Sequence, residues 1–281
     1  MRPTPQSPRS SGLTQHPAED PPIYPLPEDT QRILAVQARQ CLNLGLQVER
    51  YLRCDEANWE LTQETKRREG ALLNFNQHNL PRLISAHKQR WESLLKDCEA
   101  RGYIVRRNSL IAASRLVVGL GAASVLETSL TLHRIYGFPI LPGSALKGLA
   151  RGYAELVDGQ HEGEDEFDHV FGTQQGGRRR AGGVIFFDAI PSSANTLKLE
   201  LDVMNPHYSE YYSGKGTPPA DYLSPVPVYF LTVAPRSEFL FAVAAREAAL
   251  AARAEAWLKG GLAELGVGAK TVAGYGYFDL G

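Results

Sequence analysis

The sequence predicts an α+β fold on three observations. The first third has helical spacing, short β-branched and aromatic runs follow from residue 103, and two longer amphipathic segments are set among those runs. Residues 1–29 are dense in proline, serine, threonine and glutamine. They cannot bury enough apolar surface to offset chain entropy, and read as a disordered tail. From Thr30, Leu34, Cys41, Leu44, Val48 and Leu52 fall on one side of a helix, with Asp29 or Thr30 as its N-cap. A second helix starts at Pro81, with a stripe of Leu83, His87, Trp91, Leu94 or Leu95, and Cys98, and stops at Gly102. Residues 30–110 thus read as a helical extension.

Strands are expected over 115–120, 183–189, 197–203, 226–234, 238–245 and 275–280, and helices over 144–156 and 246–265. Strand, helix, strands, then strand, helix, strand is the order of a split βαβ, or ferredoxin-like, sheet, assigned to residues 111–281.

Composition narrows the function classes. With 43% hydrophobic and 22% charged residues in 281, the chain is neither collagenous, nor low-complexity, nor a disulfide miniprotein. Its formal charge of -1 gives no bulk attraction to nucleic acid or membrane, so such a partner must be met by a local patch. Residues 1–110 carry net +3 and 111–281 net -4. Arginine supplies 22 of the 30 cations, and its planar fork suits phosphates and bases. Cys41, Cys54 and Cys98 are too far apart for a zinc site or disulfide framework, which points to a reducing cytoplasm. The most apolar stretch, 110–126, is broken by Arg115 and two glycines, so no membrane span or secretory leader is expected.

Three segments could carry chemistry. In GFPILPGSALKGLARGYAEL, residues 137–156, Gly143 permits a turn, Ser144 is an N-cap candidate and Lys147 follows in the first turn. Amides, a hydroxyl and a lysine converge there as in a phosphate site, while Leu146, Leu149 and Leu156 face the sheet. The alternative is a capped helix with a solvated lysine. In GVGAKTVAGYGYF, residues 266–278, Gly266, Gly268, Gly274 and Gly276 let backbone approach a ligand, and Lys270 and Thr271 add a charge and a hydroxyl. Its helix-to-strand order is the reverse of a nucleotide P-loop, and an ordinary connection is the competing reading. In 202–233, His207, Tyr208, Tyr211, Tyr212 and Tyr222 lie among glycines and prolines. They suggest a long insertion whose rings stack on bases, against the alternative that they pack the loop to its own domain.

Weaker features are the acidic run Glu162, Glu164, Asp165, Glu166 and Asp168 between His161 and His169, expected to be a solvated loop rather than a metal site, and the basic tip Arg178, Arg179 and Arg180. His87 on the apolar stripe reads as a core or interface histidine. No metal or cofactor is expected.

Residues 127–148 (ETSLTLHRIYGFPILPGSALKG), the Asn-Pro-His-Tyr segment at 205–208 and the terminal GVGAKTVAGYGYF together resemble the RAMP superfamily of CRISPR proteins. More narrowly they resemble subunits of type III-B (Cmr) effector complexes. The resemblance covers 111–281. It implies an RRM-related ferredoxin-like core in an RNA-targeting ribonucleoprotein of antiviral defence, binding guide RNA near its 3′ end, capping the RAMP filament and helping to hold the guide-target duplex. The implied partners are CRISPR guide RNA, target RNA, the filament RAMP subunit, the small helical subunit and the terminal RAMP subunit. Carried over by position, Arg134, Ser144 and Lys147 would contact RNA, Gly266, Gly268, Lys270 and Thr271 would form a glycine-rich cradle, and 204–226, with His207, Tyr208, Tyr211 and Tyr212, would be a thumb entering the duplex. In the related filament subunit the cleaving aspartate lies between the first strand and helix, whereas 133–143 here holds no Asp or Glu. A non-catalytic subunit is therefore expected. The alternative is a RAMP endoribonuclease that processes guide precursor with His133, His207 or Tyr208.

Overall fold

The computed structural model describes residues 26–37, 43–51, 80–121, 129–174, 179–205, 214, 225 and 227–281. The tail up to residue 25, and the expected roles of Arg178, His207, Tyr208, Tyr211, Tyr212 and Tyr222, lie outside them.

Among the described residues, three helices precede the sheet: α1 (Glu28–Gln37), α2 (Leu44–Glu49) and α3 (Leu80–Ala100). The single helix expected from Thr30 is thus two, because Asn43 starts α2 by accepting the Leu46 amide on its side chain. α3 ends as the sequence indicates. Tyr103 N–H bonds the Cys98 carbonyl and Gly102 N–H the Glu99 carbonyl, a Schellman closure. Its buried side chains are Leu80, Ile84, Trp91 and Leu95, one turn-face away from parts of the expected stripe.

The first strand is β1 (Ile104–Ala112), not 115–120, and the expected boundary between 110 and 111 falls inside it. Arg106 and Arg107 hide its alternation in the sequence; on opposite faces of the pleat they pair with Glu255 at 3.8 Å and Glu99 at 2.7 Å. Residues 115–118 form no ladder. Leu116 exchanges two backbone hydrogen bonds with Val233, while the carbonyls of Arg115 and Val117 turn to the Gly276 and Ala269 amides.

After β1 come α4 (Gly143–Leu156), α5 (Asp165–Phe171), the short pair β2 (Gly172–Thr173) and β3 (Arg180–Ala181), then β4 (Val184–Phe186) and β5 (Ile190–Pro191). β6 (Leu199–Met204), β7 (Val228–Val233), β8 (Glu238–Ala245), α6 (Ala248–Gly260) and β9 (Phe278–Asp279) complete the order. α5 replaces the expected acidic loop, because Phe167, Val170 and Phe171 give that run an apolar face. The helix expected over 246–265 is α6 followed by a π-helical turn, Gly261–Leu265. A Cβ at Gly260 would lie 2.3 Å from the Tyr153 ring, so glycine there lets α6 cross α4 closely.

The main sheet runs β4-β8-β1-β9, with β5 also on β8, and every pairing is antiparallel. β1-α4-β4 and β8-α6-β9 therefore form two interleaved split βαβ units, the ferredoxin-like arrangement the element order predicts. Phe239, Phe241 and Val243 of β8 face α4 (Leu146, Ala150, Ala154) and α6 (Ala251, Ala254, Trp257) in the main core. Burying one side chain of this size stabilises the fold by about 1.5–3 kcal/mol. Leu240 and Ala242 face the other way, against Trp91 and Leu95 of α3. Through Trp91 and Leu95, α3 thus packs on the outer face of the sheet, while Leu44, Val48, Leu80 and Ile84 join the main core. β6 and β7 form a separate antiparallel hairpin, six residues in each strand.

Candidate functional site

The glycine-rich loop follows the π-helical turn. The Val267 amide bonds the Gly276 carbonyl at 2.9 Å, Ala269 bonds Val117 at 2.8 Å and Gly276 bonds Arg115 at 2.7 Å. Gly268 and Gly276 have φ of 96° and 84°. A Cβ at Gly268 would lie 2.3 Å from the Val117 carbonyl oxygen, and one at Gly276 2.1 Å from that of Val267. The close approach these glycines permit is to this chain's own backbone rather than to a ligand. What faces outward is the tip: a 3-10 turn at Thr271–Ala273, with Val272 fully exposed and open space around Gly274.

Lys270 starts that turn in the left-handed region, φ 62°. Its Nζ lies 5.3 Å from the Phe230 ring centroid, 5.9 Å from that of Tyr275 and 3.6 Å from Met204 Sδ. The Tyr275 hydroxyl donates to Asp202 Oδ2 at 2.6 Å, and Arg115 Nε lies 3.2 Å from Glu200 Oε2 and 3.5 Å from Asp202 Oδ2. Burial alone would raise the Asp202 carboxyl, but the Tyr275 hydroxyl, the Val203 amide and the charges of Arg115 and Lys270 outweigh it and hold it below its ordinary value. Burial, then the bond to that carboxylate, pushes the Tyr275 phenol up to about 12. Sequence reading found Lys270 but missed Asp202 and Tyr275, which lie 73 residues apart.

At the start of α4 the expected Ser144 cap is absent. Pro142 occupies the N-cap position, and the Gly143 amide donates to Asp188 Oδ1 at 2.7 Å. A carboxylate from the chain itself thus sits at the positive end of the helix, where the sequence suggested a phosphate. Trp91 Nε1 donates to the Asp188 carbonyl at 3.1 Å, which ties α3 to the same corner. Ser144 is exposed, and Lys147 is half-buried with no ion pair among the described residues. Leu146 is buried and Leu149 partly so, but Leu156, expected on the sheet, is 78% exposed at the helix end.

His133 lies in a ring cluster. Its Nδ1 accepts the amides of Ile135 and Tyr136, both at 3.2 Å. The ring stacks on Tyr136 at 4.6 Å and meets His87 edge-on at 4.8 Å, while Arg90 covers Tyr136 and bonds its hydroxyl. Burial, followed by the charges of His133 and Arg90, lowers the affinity of His87 for a proton; burial, followed by Arg90, does the same to His133. Arg134 is exposed on the neighbouring turn, whose carbonyls at 134 and 135 accept from Asn43 Nδ2.

The acidic run is held by arginines: Glu162 by Arg151 at 3.3 Å and Glu166 by Arg253 at 2.8 Å. Among the described residues no group of three or more His, Cys, Asp or Glu is arranged to hold a metal ion. None of their helices is long and apolar enough to cross a membrane. Arg179 and Arg180 are exposed at β3.

Comparison with known proteins adds four findings. Residues 110–279 match the RAMP superfamily. The CRISPR system Cmr subunit Cmr6 of Pyrococcus furiosus is 39% identical over 218 residues, covering 58% of this chain and 64% of that protein. The Cmr6 subunit of Saccharolobus solfataricus is 24% identical over 159 residues, covering 56% of this chain and 51% of that protein. The chain thus spans less than two thirds of the length of either relative. A chain in the cryo-EM structure of the type III-B Cmr-beta bound to cognate target RNA shares the fold, with a TM-score of 0.62 at 24% identity, covering 77% of this chain and 71% of that one. With 110–279 matched and the split βαβ sheet in place, this chain belongs to the RAMP superfamily.

Proposed function

We propose that this chain is the sixth Cmr-type subunit of a type III-B CRISPR ribonucleoprotein: a non-catalytic, cytoplasmic RNA-binding subunit that grips guide RNA near its 3′ end, caps the RAMP filament and helps hold the guide-target duplex in antiviral defence. Its partners are guide and target RNA, the filament RAMP subunit, the small helical subunit and the terminal RAMP subunit. The observation that carries this reading is the outward tip of the glycine-rich loop. There Lys270, with no salt bridge among the described residues, stands beside a 3-10 turn whose Val272 and Ala273 are exposed. The similarity to Cmr6 proteins supports the same assignment.

The tip offers Lys270 and Thr271 to a sugar-phosphate backbone, while Lys147 and Arg134 supply further cations from α4 and the 134–136 turn. The insertion beyond Met204 contributes His207, Tyr208, Tyr211 and Tyr212 as stacking rings. Because Asp188 already satisfies the Gly143 amide, α4 contributes through Lys147 and the Ser144 hydroxyl rather than through its first amide.

His133 bears on the endoribonuclease alternative. A general base needs a ring nitrogen aimed at the proton it takes, yet Nδ1 is bonded to two amides and the ring is stacked among three others.

The test is RNA binding by the full chain across a salt series. Lys147→Ala and Lys270→Ala should each weaken binding without sequence preference and flatten the slope of log affinity against log salt by about 0.7, the single-strand value. Unchanged slopes in both variants contradict the backbone contact. Specific cleavage of repeat RNA in EDTA, abolished by His133→Ala, contradicts the non-catalytic reading.

A further inference from the structure

The half-buried carboxylate of Asp202 is not explained by strand pairing. It lies on β6, in a hairpin outside the main sheet, yet its oxygens receive two hydrogen bonds and face a guanidinium. Oδ1 takes the Val203 amide at 2.8 Å; Oδ2 takes the Tyr275 hydroxyl at 2.6 Å and faces Arg115 Nε at 3.5 Å. These three groups come from the hairpin, the glycine-rich loop and the 115–118 segment. The Tyr275 ring so fixed is one of two over which the Lys270 ammonium sits, the other being Phe230 on β7, cross-strand from Asp202. Lysine has a long flexible stem, and a cation resting on two aromatic faces is confined without being neutralised.

We propose that Asp202 is a positioning residue for the RNA-binding tip: through Tyr275 it holds the Lys270 ammonium at one point between the hairpin and the loop, so that the charge meets a phosphate already placed. This rests on the RNA contact of Lys270 proposed above. With two hydrogen bonds and the Arg115 guanidinium already engaging the carboxylate, the Lys270 charge stays available to an outside anion. Asp202 acts through its neighbours and does not itself touch RNA.

The sign of one substitution separates this role from that of a bystander acid. A carboxylate near an RNA strand repels it, so Asp202→Asn at a bystander position tightens binding; at a positioning residue it weakens binding. The experiment measures affinity of the full chain for a fluorescein-labelled single-stranded RNA, with a thermal melt on every variant. Tyr275→Phe removes only the hydroxyl and serves if Asp202→Asn fails to fold. The expected result is that each weakens binding roughly three- to tenfold. Neither weakens it further in a Lys270→Ala background, because the lysine is the group through which both act. Tighter binding by Asp202→Asn, or an undiminished loss in the Lys270→Ala background, overturns the proposal. A loss in Lys270→Ala that neither Asp202→Asn nor Tyr275→Phe reproduces overturns the positioning role alone. No loss in Lys270→Ala overturns the RNA contact at this residue and the positioning role with it.

Discussion

Gly274 and Gly276 stand two residues apart with nearly equal backbone angles, φ 89° and 84°, yet they differ in what a methyl group would meet. At Gly274 there is open space; at Gly276 a Cβ would lie 2.1 Å from the Val267 carbonyl oxygen. Gly274→Ala should cost about 1–2 kcal/mol, the backbone term alone, and Gly276→Ala distinctly more. Denaturant midpoints of the two variants check this; equal losses contradict the view that Gly276 is wedged against its own chain.

The His87-His133 cluster gives a pH dependence with a definite sign. Both histidines have proton affinities lowered below the ordinary 6.5 while facing Arg90, Asp188 and Tyr136, so the unfolded chain binds more protons in that range. Their contribution is complete above about 6.5 and is lost as pH falls through the lower folded values. Melting temperature should fall between pH 7 and 5, and by less in His87→Phe. At this scale the sequence showed the lysines and glycines but not their partners. Asp188 lies 45 residues from the amide it caps, and no spacing rule reaches that far.

Among the elements, β8 was legible to the residue because its alternation is apolar on both faces, whereas β1 was not. The centre of β1, Arg106-Arg107-Asn108, reads as polar until its partners are known: Glu255 for Arg106 and Asn108, and Glu99 for Arg107. α3 was visible from its 3.6-residue period, but not the surface it covers. It docks on the outer face of the sheet through Trp91, which is 7% exposed and bonded to the Asp188 carbonyl, and Leu95, fully buried. Trp91→Ala should cost about 3–5 kcal/mol if that docking is part of the cooperative fold. Limited proteolysis should then cut within 80–100 first. A loss below about 1 kcal/mol, with α3 still protected, contradicts a structural role for this anchor.

For the molecule as a whole, the ferredoxin-like order was legible from α4, β4, β8 and α6, although β1 takes the place of the expected first strand over 115–120. The candidate site was legible only in part. The loop at 266–276 announced itself by four glycines, but the amides of Val267, Ala269 and Gly276 turn inward, and the outward surface is reduced to the 270–274 tip. The hairpin and the loop meet through Asp202 and Tyr275, a junction that only the folded chain brings together. With α3 covering the outer face of the sheet, the proposed RNA path runs along the loop-and-hairpin edge and leaves that face to protein.

Ultraviolet crosslinking of the assembled native particle, with RNA adducts mapped to residues by mass spectrometry, tests that placement most directly. The expected adducts are at Lys270 and its neighbours in the 270–274 tip and in the insertion beyond Met204, with none on α3. Adducts confined to α3 and the outer strand face, or none at the tip, would contradict it.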